Sequence, residues 1–144
     1  MKKSGIINPE LIRCLAELGH FDSFVICDMG FPIPKHAERI DLSLLPGCPK
    51  LIPVLKACLG EVVVQEMVML DGVEKANGEL YKEVTELAHG QEMRYVNLTE
   101  FRKIAEEAKF FVRTGEDAPC SNIYLVSASG VKERVEKYNI DVEL

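Results

Sequence analysis

The stretch GHFDSFVICDMGFPIP, residues 19–34, places a short apolar run between a histidine and a carboxylate. The run over residues 24–27 is apolar throughout, which is typical of a strand covered on both faces and therefore of a sheet packed between layers of helices. Asp28 follows at the carboxyl end of this strand, and Pro32 and Pro34 stiffen the loop beyond it. The stretch predicts an α/β fold with a polar group at the end of a buried strand.

Helical and strand patterns alternate along the rest of the chain. Asn8 and Pro9 predict the start of a first helix, because asparagine caps helices and proline needs no amide partner at the first position. Gly19 predicts the end of that helix. Further helices are predicted over 51–59, 79–88 and 98–109, and further strands over 62–69, 93–96, 110–112 and 123–126. The alternation predicts a single three-layer α/β domain over residues 1–144, with a mostly parallel central sheet and helices on both faces.

The composition narrows the class of protein. The 144 residues are 47% hydrophobic and 28% charged, as expected of one folded domain, and the net charge of −6 argues against a nucleic-acid partner. No apolar run approaches the roughly 20 residues of a membrane-spanning helix, and no signal-peptide core follows Met1. The five cysteines form no C-x-x-C pair, which argues against a zinc site and fits the reducing cytoplasm. The charged segment 132–144 is left open between a helix, a strand and a frayed end.

His20 and Asp28 are the first candidates for chemistry. His20 follows the predicted carboxyl end of the first helix, whose negative end favours imidazolium, and ligands of open α/β sheets bind outside the carboxyl ends of strands, where Asp28 lies. Either the two residues belong to an active site, or they only punctuate a strand, and the pattern alone favours punctuation. Because a strand rises about 3.3 Å per residue, we expect the two side chains at opposite ends of it, which weakens the pair within one chain.

Each of the other candidate residues also has a simpler structural explanation. Asn122 precedes the last strand, where its amide either binds hydroxyl groups or closes a loop, and residues 113–116 bind a ligand or form a salt-bridged turn, the turn being favoured. Cys120 has no recognisable activating neighbour, so a structural thiol is favoured over a nucleophile. His36 and His89 have polar surroundings typical of the surface. No glycine-rich nucleotide motif and no G-x-S-x-G elbow is present, so we expect no nucleotide cofactor.

Two segments resemble a known family. Residues 1–44, MKKSGIINPELIRCLAELGHFDSFVICDMGFPIPKHAERIDLSL, resemble the amino-terminal half of the D-ribose pyranase and L-fucose mutarotase family, and residues 109–125, KFFVRTGEDAPCSNIYL, resemble its second signature. The layout between them, from Gly47-Cys48-Pro49 to Glu66 and onward, is similar too, so the resemblance covers nearly the whole chain. The G-H-x-D pattern with its second aspartate and proline is specific, and residues 28–34 are more similar to the ribose branch.

The resemblance implies a ring-forming homo-oligomer, commonly a decamer, with monosaccharide sites between neighbouring subunits. It implies that His20 is the proton donor and that Asp28 and Asn122 bind sugar hydroxyls. Arg102 stands where the family has a lysine, a change that keeps the charge but alters the reach. Cys120 and Ser121 occupy the positions just before Asn122, and these two residues and Arg102 are predicted to bind the substrate as well.

Two positions depart from the family pattern. Leu98 stands where the family has a sugar-binding histidine, and Cys120 stands where it has a tyrosine. Both changes remove polar groups that would orient a pentose. We therefore expect weak action on D-ribose and a preference for a less polar or differently configured sugar.

The chemistry implied is modest. Interconverting pyranose, furanose and anomeric forms needs a proton on the ring oxygen and removal of one from the anomeric hydroxyl, without metal or cofactor. The first hypothesis is therefore a cofactor-independent sugar pyranase or mutarotase acting through His20. The second is a non-catalytic sugar-binding or scaffold protein that has lost turnover, and the remotest is a different enzyme that uses Cys120.

Overall fold

A computed structural model describes residues 1–144. The elements in chain order are α1 (Pro9–Ala16), β1 (Ser23–Cys27), β2 (Glu38–Asp41), α2 (Leu51–Leu59), β3 (Val64–Leu70), α3 (Val73–Ala76), α4 (Gly78–Leu87), β4 (Glu92–Val96), α5 (Leu98–Ala105), β5 (Phe110–Arg113), β6 (Ile123–Ser127) and α6 (Lys132–Tyr138). None of the helices α1–α6 has the length and apolar character of a membrane-spanning segment.

The six strands form one sheet in the order β2-β5-β1-β6-β3-β4. The pairs β1–β5, β2–β5 and β3–β4 are parallel, whereas β6 is antiparallel to both of its neighbours, β1 and β3. The predicted mostly parallel sheet is confirmed, with β6 as the one strand of opposite direction. Strand β2 was not predicted, because only one of its four residues is buried and no apolar run marks it.

Helices cover both faces of the sheet, as predicted. The larger core joins α1, α2 and α4 to one face, and its strand side chains include Phe24, Ile26 and Leu125. The smaller core joins α5 to the opposite face through Phe101, which packs with Phe111 and the other buried residues there. Since all five residues of β1 are buried, the strand that carries the candidate motif lies at the centre of the three layers.

Helix starts follow the predicted caps. The Asn8 side chain accepts a hydrogen bond from the Leu11 amide at 2.9 Å, and the Asn97 side chain accepts one from the Glu100 amide at 2.9 Å. Helix α5 ends at Ala105, four residues before the predicted end. The amides after it make bonds of the i→i−3 kind, such as Ala108 to the Ala105 carbonyl at 3.1 Å, so the chain tightens and turns into β5.

The segment after β6 folds as a helix, one of the three options left open by the sequence. The Gln91 side chain donates to the Tyr138 carbonyl at 2.7 Å, and Tyr138 and Ile140 are buried. The contacts hold α6 and the residues after it against the body of the domain.

Candidate active site

Asp28 and Asn122 meet at one edge of the sheet. Because β1 and β6 are antiparallel, Asp28 at the end of β1 lies beside Asn122 at the start of β6. The Asn122 side chain donates from Nδ2 to Asp28 Oδ2 at 3.0 Å and accepts at Oδ1 from the Asp28 amide at 3.1 Å. Asn122 is buried and Asp28 half-buried, so the pair is fixed while the carboxylate remains accessible. We call this edge the carboxyl edge.

Arg113 fixes the turn that follows Asp28. Its guanidinium donates to the Met29 carbonyl from Nε at 3.1 Å and from Nη2 at 2.9 Å, and Nη1 pairs with Asp41 Oδ2 at 3.0 Å. The Gly30 amide donates to Asp28 Oδ1 at 2.9 Å. The charged residues of the predicted turn 113–116 do form ion pairs, but with partners outside it: Arg113 with Asp41 and Glu116 with Lys50. The Arg113 contacts instead hold the turn after Asp28.

Glu116 holds the loop that leads to Asn122. It is buried, and its carboxylate accepts hydrogen bonds from the Leu51 and Ala118 amides, both at 3.1 Å, and from Lys50 Nζ at 3.0 Å. Burial by itself raises the pKa of this carboxyl, but the Leu51 and Ala118 amides and the Lys50 ammonium outweigh it, so the pKa of Glu116 lies below its ordinary value. The loop therefore contains a buried carboxylate that is charged and fully bonded.

Cys120 and Ser121 lie between this loop and Asn122. Cys120 has φ +57°, a left-handed conformation uncommon outside glycine, and its side chain is half-buried. Ser121 is completely buried, and its hydroxyl accepts from Asn77 Nδ2 at 3.1 Å and lies 3.3 Å from the Pro119 carbonyl, to which it donates. Ser121 thus holds the loop, and the sugar contact predicted for it stays a prediction.

Leu98 and Arg102 lie on one side of α5, one turn apart. Leu98 is 54% exposed, and Arg102 lines a shallow cavity of about 190 Å³ beside Phe31 and Pro32, in the loop that follows Asp28. Helix α5 begins directly after β4, whose carboxyl end lies at the same edge of the sheet as Asp28. Both residues are therefore placed near the carboxyl edge, and the substrate contacts implied for these positions stay predictions.

His20 lies at the opposite edge of the sheet, beside the amino end of β1. It is exposed, and its ring stacks on Phe21 with centroids 3.9 Å apart, while the Phe21 amide donates to the Ser127 carbonyl at 3.1 Å. The expected position at a helix end is wrong, because α1 ends at Ala16, and a helix dipole acts only within the last turn. We call this edge the amino edge.

The loop that carries His20 is anchored by a carboxylate. Asp22 accepts from the Gly19 amide at 2.6 Å and pairs with Lys109 at 2.8 Å. The Lys109 ammonium, followed by the Gly19 amide, lowers the pKa of Asp22 below its ordinary value. His20 is therefore presented by a bonded turn.

One chain does not bring His20 and Asp28 together. The five residues of β1 separate them, which at about 3.3 Å per residue is roughly 17 Å. A monosaccharide is far smaller than this gap. The structure thus brings together Asp28, Asn122 and the loop with Cys120, and leaves His20 apart, as the spacing predicts.

Two residues of the carboxyl edge were missed by sequence reasoning, Asn77 and Glu116 in their role as loop anchors. Asn77 caps α4 and also donates to the Pro119 carbonyl at 3.2 Å. Its position before Gly78 signals a helix cap, but no local pattern signals a partner some forty residues away. Cys27, next to Asp28, is no candidate nucleophile, because burial raises the pKa of its thiol to about 12.

Residues 1–131 match the model of the RbsD / FucU transport protein family. The D-ribose pyranase of Kosmotoga olearia is 42% identical over 128 residues, covering 88% of this chain and 97% of that protein. The D-ribose pyranase of Geobacillus thermodenitrificans is 41% identical over 127 residues, covering 88% and 96%. The structure of Bacillus subtilis RbsD complexed with D-ribose is similar with a TM-score of 0.87 at 36% identity, over 91% of this chain and 100% of that one.

The fold is also shared with a more distant protein. The fucose mutarotase of Streptococcus pneumoniae, in complex with L-fucose, has a TM-score of 0.71 at 22% identity, over 87% of this chain and 95% of that one. At this identity the likeness concerns the fold.

Proposed function

The chain belongs to the RbsD / FucU transport protein family, and from that premise we propose that it is a sugar pyranase, an isomerase that interconverts the cyclic forms of D-ribose or a related monosaccharide. The observation that carries the proposal is the bonded pair of Asp28 and Asn122 at the carboxyl edge. The alternative of a non-catalytic sugar-binding scaffold is not favoured, since the curated relatives are named as enzymes.

The reaction needs one acid and one base. Protonation of the ring oxygen and removal of the anomeric proton break the bond from C1 to the ring oxygen and give the open-chain aldehyde. Closure by another hydroxyl, or on the other face of the carbonyl, gives a different ring form. General acid–base catalysis of this kind contributes about 10²–10⁴-fold, which suits a sparse site.

Asp28 and Asn122 supply the binding part of this scheme. The Asp28 carboxylate accepts hydrogen bonds only, so it suits sugar hydroxyl groups as donors. Its orientation is set beforehand by Asn122, the Gly30 amide and the turn that Arg113 holds. A binding group that is already fixed loses little conformational freedom when the sugar arrives.

His20 supplies the proton in this proposal, from a second copy of the chain. Its imidazole is exposed, and histidine is the side chain that enzymes most often use as a general acid. Since His20 and Asp28 of one chain lie at opposite edges, the amino edge of one subunit would pack against the carboxyl edge of the next. Repetition of that contact closes a ring, and we propose the ring-based decamer implied by the resemblance.

Exposed apolar side chains at both edges support this contact. Met29 and Leu98 are 40% and 54% exposed at the carboxyl edge, and Phe21 is 67% exposed at the amino edge beside His20. Apolar side chains grouped beside polar site residues are typical of interaction surfaces. Packing of one edge on the other would bury them together with the sugar.

The substrate is set in part by Leu98 and Cys120. They make one side of the proposed pocket apolar, and each neutral hydrogen bond lost there costs about 0.5–1.5 kcal/mol. Arg102 keeps a positive charge on the same helix. We propose slow or weak action on unmodified D-ribose. The preferred sugar is to be identified by experiment.

The five cysteines, all free, bear on location. Free thiols persist in reducing compartments. We propose that the enzyme acts in the cytoplasm.

Saturation-transfer NMR tests the function, because it reports exchange between sugar forms directly. We expect the protein to accelerate exchange for at least one reducing sugar in a panel that includes D-ribose. His20→Ala should lower the catalysed rate by about 10²-fold or more.

The matched control is His36→Ala, another exposed histidine, which should exchange sugars like the parent. Parent-like exchange by His20→Ala would remove His20 from the mechanism. No acceleration for any sugar, together with sugar binding in calorimetry, would instead support the scaffold.

A further inference from the structure

The segment 132–144 lies beyond the family match, which ends at residue 131. It is nevertheless a docked part of the domain. Gln91 Nε2 donates to the Tyr138 carbonyl at 2.7 Å and to the Val64 carbonyl at 3.3 Å, so it bonds α6 to β3. Tyr138 and Ile140 are each only 8% exposed. The segment packs against the amino edge of the sheet.

Helix α6 forms a wall of the cavity that contains His20. This cavity, of about 340 Å³, is lined by His20 and Phe21 and by three residues of α6, Arg134, Lys137 and Tyr138. A volume of this size accommodates a monosaccharide or a substituent of one. Residues beyond the family match therefore line the same cavity as the proposed proton donor.

The two cations of this wall are not neutralised by carboxylates. Arg134 Nη1 lies 3.4 Å from the Tyr138 hydroxyl, and Lys137 Nζ lies 4.8 Å from the centre of the Tyr138 ring. Neither forms an ion pair, whereas Lys132 on the same helix pairs with Glu136 at 3.7 Å. Lys137, followed by Arg134, also lowers the pKa of Tyr138 below its ordinary value, as a positive field does.

The cavity also contains acidic groups, and they leave a positive excess. Glu66 pairs with Arg94 at 3.1 Å and is thereby compensated. Glu92 is the other carboxylate of the lining, beside the uncharged Gln65 and Gly90. The lining therefore contains two cations without an ion pair and one carboxylate without one.

We propose that α6 makes the His20 cavity a recognition site for a phosphate monoester, so that the substrate is a phosphorylated monosaccharide. The inference rests on the proposed function and deepens it. Arginine and lysine together suit phosphate, whose several oxygens accept bonds from more than one cation. The charge interaction also replaces binding energy that Leu98 and Cys120 no longer supply at the other edge.

The chemistry stays the same for such a substrate. In an aldopentose 5-phosphate the O5 atom is esterified, so no pyranose forms and the reaction is exchange of the two furanose anomers. The bond from C1 to O4 breaks as O4 takes a proton and the anomeric hydroxyl loses one, and it re-forms on the other face of the carbonyl. The phosphate group is bound and is not transferred.

The experiment compares D-ribose 5-phosphate with D-ribose by saturation-transfer NMR, with uncatalysed exchange subtracted. The measured quantity is the ratio of kcat/KM for the phosphate to that for D-ribose, which should exceed one. The double variant Arg134→Ala with Lys137→Ala should lower this ratio about tenfold through KM. Arg134→Lys with Lys137→Arg keeps both charges and should restore it, and Lys132→Ala, on the same helix but outside the cavity, should leave it unchanged.

A parent ratio below one, or a ratio unaffected by the double alanine change, would overturn the inference even if ribose is isomerised. If the protein prefers D-glucuronate over D-glucose by the same factor, the cavity recognises carboxylates, and the proposal of a phosphate site is overturned. If neither ribose compound nor any other reducing sugar of the panel exchanges, the proposed function fails, and calorimetry with ribose 5-phosphate then tests the phosphate site by itself. If ribose 5-phosphate binds and the double alanine change weakens that binding tenfold, the phosphate site is supported. If ribose 5-phosphate does not bind, the phosphate site is overturned.

Discussion

The two edges of the sheet differ in how firmly their polar groups are held. At the carboxyl edge, Asp28 and Asn122 bond each other twice, and the neighbouring turn and loop are anchored by Arg113 and Glu116. At the amino edge, His20 is exposed beside an open cavity whose cations have no carboxylate partner. Rigid placement suits a group that selects a sugar, while accessibility suits a group that exchanges protons with solvent after each turnover. In the proposed mechanism, the two edges therefore divide the tasks of one reaction.

The strongest test of this comparison places an intact His20 and an intact Asp28 in different chains of one oligomer. His20→Ala should lower the exchange rate by about 10²-fold or more because the general acid is removed. Asp28→Ala, assayed at a sugar concentration well below KM, should be nearly inactive because the sugar binds poorly. Oligomers assembled from both variants together should regain a substantial fraction of the parent exchange rate, because some sites then combine an intact His20 with an intact Asp28.

The control for this mixture is each variant assembled with itself, which should stay inactive in the same NMR assay. Mass determination by light scattering should show one and the same oligomer in all samples. A mixture as inactive as its components, although mixed oligomers form, would place both groups in one chain and contradict the division between edges.

A second change weakens the carboxyl edge alone. Asp28→Asn keeps the shape but replaces a charged acceptor, and hydrogen bonds to charged groups are worth about 1.5–3 kcal/mol. We expect the sugar affinity to fall by about 10–100-fold in calorimetry, with a smaller effect on kcat. Asp141→Asn, at an exposed carboxylate near the end of the chain, is the matched control. A loss confined to kcat would instead give Asp28 a role in proton transfer.

A third change restores polar groups to the carboxyl edge. Leu98→His with Cys120→Tyr should raise kcat/KM for D-ribose by roughly tenfold, since two neutral hydrogen bonds are regained. Leu98→Ala with Cys120→Ala alters both positions without adding a ring donor and should give no such gain. If the parent already exchanges ribose as fast as ordinary family members, the residues at positions 98 and 120 do not affect the exchange of ribose.

A fourth change tests the scaffold of the same edge. Glu116→Gln keeps the size but removes the buried charge that Lys50 and the Leu51 amide bind, so the free energy of unfolding should fall by about 1–3 kcal/mol at neutral pH. Since the folded pKa of Glu116 is depressed, its stabilisation is present above the unfolded value and is lost as the pH falls through the folded value. Thermal unfolding followed between pH 7 and pH 3 should show a smaller loss for the variant than for the parent.

Glu133→Gln serves as control, because Glu133 is an exposed carboxylate without an ion pair. Parent-like stability of Glu116→Gln at every pH would show that the loop does not depend on this carboxylate. The rigidity of the carboxyl edge would then be explained by the contacts of Arg113 and Asn122 alone.

The sequence predicts the layers well where one local signal is enough. The apolar run of β1, the cap at Asn8 and the helix at 51–59 are confirmed with their bounds or within one residue. The short strand β2 is missed because its stability comes from pairing with β5 and not from its own side chains. The end of α5 is misplaced because helical propensity continues past the point where the chain must turn back to the sheet.

The site is predictable only in part, for the same physical reason. The resemblance assigns Asp28 and Asn122, and the structure places them in contact. Asn77 and Glu116 act through partners distant in sequence, so their roles follow from topology. The cations of α6 face His20 only because β6 returns the chain to the amino edge, which no pattern within residues 132–144 indicates.

The reversed direction of β6 has a consequence for how this protein can diverge. Its amino end delivers Asn122 to the carboxyl edge, and its carboxyl end releases the chain at the amino edge. Any lengthening after Ser127 therefore accumulates beside His20 and leaves the pair of Asp28 and Asn122 untouched. A lineage with this topology can acquire new substrate preferences by growing at one terminus, while the pair proposed to bind the sugar is inherited unchanged.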